Sequence, residues 1–232
     1  MPENLSFLIL PGCCVLCRNP CARRLDLCTA CERDLPVIEH ACTGCAIPLP
    51  GVANALLCGA CLQRHPPQNA TRAIFRYAYP LDNLVQRFKF HGEQAAGNVL
   101  GKLFAARALK TGEHSFTLLP VPLHPRRLRE RGFNQAELLA RAIGDRFHWE
   151  VRGDLLLRTR ETAVQSNMSA AARRKNVRNA FALRTGHVPE RIVIVDDVVT
   201  TGSTTAEIAA LLRKAGAREI EVWALARTPA GY

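Results

Sequence analysis

The chain has 232 residues, 48% of them apolar, and a formal net charge of +11. That is enough for one substantial domain plus a small one. No apolar run approaches the roughly 20 residues of a membrane span, which excludes membrane insertion as a helix. The charge is uneven: residues 1–70 balance five basic against five acidic side chains, whereas residues 121–185 hold 14 Arg and Lys against six Asp and Glu. This concentration favours a phosphate-bearing partner over a merely solvated basic surface.

The opening stretch MPENLSFLILPGCC carries a short apolar run from Leu5 to Leu10 that lacks a basic start and is interrupted by Pro11. It does not read as a secretory leader, and a cytoplasmic location is expected. All ten cysteines fall before residue 62. Eight form four CxxC pairs: Cys14 and Cys17, Cys28 and Cys31, Cys42 and Cys45, Cys58 and Cys61. A CxxC knuckle offers two thiolates to one metal, and two knuckles complete the closed four-thiolate shell of structural zinc. Two Zn2+ are expected, each substituting for a core too small to fold alone. Sequential pairing of knuckles is the simpler arrangement; a cross-braced one stays open. Disulfides and a redox CxxC explain four motifs in series less well. Cys13 and Cys21 lie outside the pattern and read as free thiols.

Residues 1–65 thus form a double ribbon, QRHPPQNAT reads as a linker, and a second domain spans 70–232. RAIFRYAYP alternates with Ala73, Phe75, Tyr77 and Tyr79 on one side, as a half-buried strand does. LDNLVQRFKFHG predicts a short helix stopped by Gly92, with Lys89 and His91 at its end, and EQAAGNVLGKLFAARALK a longer one burying Leu100, Leu103, Phe104 and Ala108. SFTLLPVPL is a buried strand, followed by a turn and by the helix RGFNQAELLARAIGDRF with Asn134 near its start. DLLLRT and AFALR are short strands. RETAVQSNMSAAARRKNVRN is a charged loop with one helical segment. RIVIV is the most strand-like run, TTAEIAALLRKAGA a helix with Ile208, Leu211, Leu212 and Ala215 on one face and Gly216 as its cap, and EIEVWALAR a closing strand. Strand–helix alternation implies an α/β fold, a parallel sheet flanked by helices.

The stretch IVIVDDVVTTGSTT places Asp196 and Asp197 at the carboxyl end of a strand, where parallel α/β sheets bind ligands. The loop Val199, Thr200, Thr201, Gly202, Ser203 and Thr204 then runs straight into a helix. Its N–H groups and the helix N-terminus make an anion cradle, and Gly202 allows close backbone approach. Carboxylates beside an anion cradle suit a phosphorylated sugar: the acids accept from ribose hydroxyls while the cradle holds the 5′-phosphate. The loop is not a Walker A motif.

IVIVDDVVTTGST resembles the phosphoribosyl pyrophosphate (PRPP) motif of type I phosphoribosyltransferases. With VPLHPRRLRERGFNQAELLA, QSNMSAAARRKNVRNAF and the four CxxC pairs, the chain resembles the ComF/GntX family over nearly its whole length. The resemblance implies a double zinc ribbon joined to a type I phosphoribosyltransferase-like domain, with a connection to natural competence and use of external DNA. It implies that Asp196 and Asp197 hold the ribose hydroxyls and Val199 to Thr204 the 5′-phosphate. The turn around His124, Arg126 and Arg127 stands at the position of the pyrophosphate loop, with Arg131 and Asn134 lining the same cleft. Arg173, Arg174 and Lys175 would close as a lid, with Gln165 and Asn176 as further candidates. In a transfer reaction a nucleophile displaces pyrophosphate from the anomeric carbon, with Mg2+ bridging pyrophosphate and ribose. The alternative is a non-catalytic member that senses PRPP or holds single-stranded DNA alongside competence or DNA-processing proteins. Few aromatics interleave the basic stretch, chiefly Phe133, Phe147 and Trp149, which disfavours the DNA reading.

Overall fold

The computed structural model describes residues 12–49, 57–108, 115–161, 170–184 and 186–229. Its centre is a four-stranded parallel sheet built from β3 (Ala70–Arg76), β4 (Thr117–Pro120), β7 (Arg191–Val199) and β8 (Glu219–Arg227), in the order β3-β8-β7-β4. β7 and β8 pair in register from Arg191 opposite Glu219 to Val199 opposite Arg227. Both are apolar on both faces because helices and ribbons cover each side. Val193, Val195, Trp223 and Leu225 point into one core. Ile192, Ile194, Val222 and Ala224 point into the other. That is the period-2 alternation of a pleated strand.

The first core is closed by α3 (Leu81–His91), α4 (Gln94–Arg107) and α6 (Gln135–Phe147). α3 buries Leu81, Leu84, Val85 and Phe88, one stripe at helical spacing. Gly92 ends it in the left-handed conformation (φ 63°), as expected. α4 buries Leu100, Leu103 and Phe104. Asn134 caps α6, accepting from the Ala136 N–H at 3.1 Å, while its Nδ2 donates to the Val121 carbonyl at 3.1 Å. One side chain thereby ties the start of α6 to the chain leaving β4.

The second core packs under α8 (Ser203–Lys214), which buries Thr205, Ile208, Ala209 and Leu212. Leu211 is half-buried, and Ala215 lies exposed just beyond the helix, where Gly216 turns the chain at φ 104°. Two predicted strands leave the main sheet: β5 (Leu156–Arg158) and β6 (Phe181–Leu183) pair antiparallel with each other. The helical segment of the charged loop is α7 (Ala170–Val177). Residues 125–131, predicted as a turn, instead form α5 (Pro125–Arg131). Pro125 stands at its first turn and Gly132 ends it at φ 79°, the Pro-in, Gly-out asymmetry of a short helix.

The cysteine-rich part shares the first core instead of standing apart. It contains β1 (Gly12–Cys13), β2 (Pro20–Cys21), α1 (Thr29–Arg33) and α2 (Gly59–Gln63). Cys14, Val15, Leu27 and Leu35 lie in the same apolar cluster as Phe75 and Phe88. Residues 36–38 run antiparallel beside β3: Val37 bridges Phe75, the Ile38 N–H donates to the Ile74 carbonyl at 2.9 Å, and the Arg76 N–H to the Pro36 carbonyl at 2.8 Å. The stretch read as a linker is also fastened. Asn69 donates its N–H to the Ile220 carbonyl at 2.7 Å, and its Oδ1 accepts from the Ile220 N–H at 2.8 Å. Among the described residues no helix is long and apolar enough to cross a membrane.

Candidate functional site

The eight knuckle cysteines gather as Cys14, Cys17, Cys28 and Cys31 in one cluster and Cys42, Cys45, Cys58 and Cys61 in the other, with all Sγ atoms of each cluster within 4.8 Å of one another. Two sulfurs on one tetrahedral zinc at about 2.3 Å stand about 3.8 Å apart. The Cys17–Cys28 separation is 3.8 Å and the Cys45–Cys58 separation 3.7 Å, so the cages are sized for that ion. Pairing is sequential, not cross-braced. Backbone N–H groups point at two of the sulfurs: Cys58 N–H donates to Cys42 Sγ at 3.2 Å and Cys31 N–H to Cys28 Sγ at 3.4 Å. Burial opposes ionisation of Cys14, but N–H groups from Cys28, Cys17 and Leu16 outweigh it and bring its pKa down to about 6. The same contest brings Cys42 down to about 7. Cys13 and Cys21 belong to neither cluster.

At the carboxyl end of β7 the chain presents Asp196 and Asp197, then the loop, then α8. Gly202 adopts φ 74° as the N-cap of α8, and Ala206 N–H returns to its carbonyl at 2.9 Å. Thr201 and Ser203 hydroxyls lie 2.8 Å apart, and the Ser203 N–H donates to Thr201 Oγ1 at 3.3 Å. Thr205, fully buried, donates its hydroxyl to the Gly202 carbonyl at 3.1 Å. Val199, Thr201, Gly202 and Ser203 open onto a cavity of about 840 Å3 whose far wall is the second ribbon and the chain from Arg64 to Gln68. Lys175 and Arg178 line its rim. Neither aspartate lines this cavity, and Asp197 meets α3.

Lys89, from the last turn of α3, reaches Asp197 Oδ2 at 2.7 Å. Burial opposes the Asp197 charge, yet Lys89 and the Val198 N–H hold its carboxyl below the usual range. Asp196 behaves oppositely: burial, and then the Asp197 charge, push it up to about 7. Arg158 of β5 acts on Asp196 and Arg131 of α5 on Asp197, with Arg127 within electrostatic reach of both arginines. Arg131 also donates to Gln135 Oε1 at 3.2 Å and stacks on Phe90 at 5.2 Å.

The other candidates are dispersed. Arg126 turns to Glu130 at 3.0 Å and Glu161 at 3.5 Å, and His124 caps α5 through its Nδ1 at 3.4 Å from the Arg126 N–H. Asn176 is half-buried on α7, where its carbonyl accepts from Arg160 Nη2 at 2.7 Å. Arg173 and Arg174 lie on α7, their side chains outside what the structure describes, and Gln165 lies outside the described residues. Sequence reasoning missed Lys89 as the partner of Asp197, Arg158 beside Asp196, and Arg227 beneath the loop. Only the first had a sequence cue, a lysine in the last turn of a helix.

A double zinc ribbon domain matches residues 5–62, and a phosphoribosyl transferase domain matches residues 135–232. The DNA utilization protein YhgH of Escherichia coli K12 is 39% identical over 227 residues, covering 95% of this chain and 99% of that protein. Competence protein F of Haemophilus influenzae is 37% identical over 224 residues, covering 92% and 96%. Competence protein ComFC of Streptococcus pneumoniae is 32% identical over 157 residues, covering 67% of each chain. With its two four-cysteine cages fused to a parallel-sheet phosphoribosyl transferase domain, the chain belongs to the ComF/GntX family of these competence and DNA utilization proteins.

Proposed function

We propose that the protein binds PRPP at the carboxyl end of β7, and that it transfers the phosphoribosyl group to an acceptor with release of pyrophosphate, in a pathway of DNA utilisation or competence. The observation that carries this reading is the succession of an acidic pair, a left-handed Gly202 and the N-terminus of the 12-residue helix α8 at the end of a central parallel strand. Val199 to Thr204 would take the 5′-phosphate on N–H groups and hydroxyls. Asp196 and Asp197 would accept from the ribose hydroxyls, with Lys89 holding Asp197 ionised. Arg131, within electrostatic reach of Asp197, and Arg127, near Arg131 and Arg158, would supply positive charge where the pyrophosphate leaves, which would stabilise the charge developing there. Mg2+ bound with PRPP would supply further neutralisation of the pyrophosphate. In the transfer, the acceptor's lone pair forms the new bond to the anomeric carbon while the carbon–oxygen bond breaks and its electron pair departs with pyrophosphate.

A second reading has its own support. Arg64, His65, Lys175 and Arg178 line the cavity that adjoins the phosphate loop. The basic side chains of Arg64, Lys175 and Arg178 beside such a cradle also suit a single strand's phosphates, so a non-catalytic holder of single-stranded DNA is the alternative. The two are separated by titrating the purified protein with PRPP and Mg2+, then with an oligonucleotide at rising salt. PRPP binding that disappears in Asp196→Asn/Asp197→Asn supports the first reading, and unchanged binding removes the ribose assignment. Salt-sensitive DNA binding with no PRPP binding supports the second. Pyrophosphate release across purines, pyrimidines and amines then tests transfer itself.

A further inference from the structure

The last residue of β8, Arg227, is buried at 3% exposure and touches two parts of the molecule at once. On one side its Nε donates to the Cys45 carbonyl at 2.8 Å, in the Cys42–Cys45 knuckle of the second cage. On the other its Nη1 donates to the Val199 carbonyl at 3.2 Å and to the Thr200 carbonyl. Thr228 reinforces the hold: its N–H reaches the Val199 carbonyl at 3.1 Å and its hydroxyl the Thr200 carbonyl at 3.3 Å.

In a planar trans peptide the N–H points opposite to the C=O. Drawing the Val199 and Thr200 carbonyls towards Arg227 therefore turns the Thr200 and Thr201 N–H groups the other way, as donors for an anion. A loop left to itself would expose carbonyl dipoles to that anion as readily as N–H groups.

The knuckle at the other end of Arg227 is itself tightly placed. Its Thr43 carbonyl accepts from the Thr71 N–H at 2.7 Å, and its Gly44 carbonyl from Thr71 Oγ1 at 2.8 Å and Gln68 Nε2 at 3.1 Å. Three successive carbonyls, from Thr43 to Cys45, thus fasten the second cage to the sheet. The backbone position of Cys45 follows from its sulfur's place in that cage. A filled four-thiolate shell around one divalent ion keeps a net charge of about −2, which also favours a buried guanidinium alongside. The first cage packs against α3 and α4: Arg87 donates to the Val15 carbonyl and Lys102 to the Arg24 carbonyl at 3.0 Å, away from the loop.

We infer that Arg227 is a positioning residue for the phosphate loop, and that through it the loop's anion affinity depends on metal in the second cage but not in the first. The inference rests on the reading of this loop as a phosphate site. The test measures zinc per chain, PRPP affinity with Mg2+ by calorimetry, and amide hydrogen exchange of the segment 198–204. Arg227→Gln is expected to keep two zinc ions yet bind PRPP about tenfold more weakly, the size of a typical coupling between sites, and to exchange faster in that segment. Arg227→Lys, which keeps the charge but loses the fork, is expected to fall between. Cys45→Ser/Cys58→Ser should empty the second cage and cost as much, and adding Arg227→Gln should cost nothing further. Cys17→Ser/Cys28→Ser should empty the first cage and leave affinity and exchange of 198–204 as they were. Unchanged affinity and exchange in Arg227→Gln, or losses that simply add, overturn the inference. If the wild type binds neither PRPP nor inorganic phosphate, the reading of the site fails; the exchange arm still reports whether Arg227 and the second cage hold the loop. Should Arg227→Gln fail to fold, Arg227→Lys and zinc-stripped wild type decide by the same readouts.

Discussion

Lys89 Nζ and Asp197 Oδ2 lie 2.7 Å apart, joining the last turn of α3 to the end of the central strand β7. Both side chains are largely withdrawn from water, at 26% and 11% exposure. Removing one partner of such a pair leaves a poorly solvated charge behind. Lys89→Met should therefore lower unfolding free energy by about 3 kcal/mol in urea titrations. Lys89→Met/Asp197→Asn should lose less than the two single changes together. Additive losses would mean the pair is not coupled.

The acidic pair also predicts a pH dependence. Asp196 titrates near 3.8 in an unfolded chain and near 7 in the folded one. Between those values the folded state holds a proton that the unfolded state has released. Stability therefore falls as pH rises from about 4 to about 7, and this contribution is flat above. Asp197, held low by Lys89, works the other way, losing its contribution only in acid below its unfolded value. An ionised carboxylate accepts a hydroxyl's hydrogen bond more strongly than a protonated carboxyl, so PRPP affinity should be weaker at pH 6 than at pH 8, by up to about tenfold. Asp196→Asn should flatten that profile, and a profile identical to wild type would exclude Asp196 from the diol.

Metal analysis gives a third expectation. Native mass spectrometry should find two zinc ions per chain, unchanged in Cys13→Ser, because Cys13 lies in neither cage. Chelation should lower the melting temperature of the whole chain cooperatively. Cys14, Val15 and Leu27 share the apolar cluster of Phe75 and Phe88, so loosening the first ribbon exposes part of that core to water.

Gly202 provides a fourth. A Cβ there would meet only Val199 and Thr205 atoms at 3.9 and 4.0 Å, ordinary contact distances. The cost of Gly202→Ala is then the left-handed backbone itself, about 1 kcal/mol. Differential scanning calorimetry should show a small fall in melting temperature, accompanied by weaker phosphate binding if the loop relaxes from φ 74°.

What the sequence settled by itself was local. The four CxxC spacings dictate two four-thiolate cages, because a knuckle is a property of four consecutive residues. Gly92 and Asn134 mark helix ends for equally local reasons, as did Pro125 and Gly132 for α5, a signature present in the sequence but read as a turn. Strand–helix alternation announces a doubly covered sheet, and the DD-to-TTGSTT succession puts an acidic pair and a small-residue turn between the central strand β7 and α8. Only the tertiary structure decided which knuckles share a cage, that the ribbons complete the main core, and that Lys89, Arg158 and Arg227 surround the acids and the loop. Those neighbours come from distant elements, and their meeting depends on packing angles and sheet order that no spacing along the chain encodes. A side chain's charge is written in the sequence, but the distance over which that charge acts is fixed only when the helices close on the sheet.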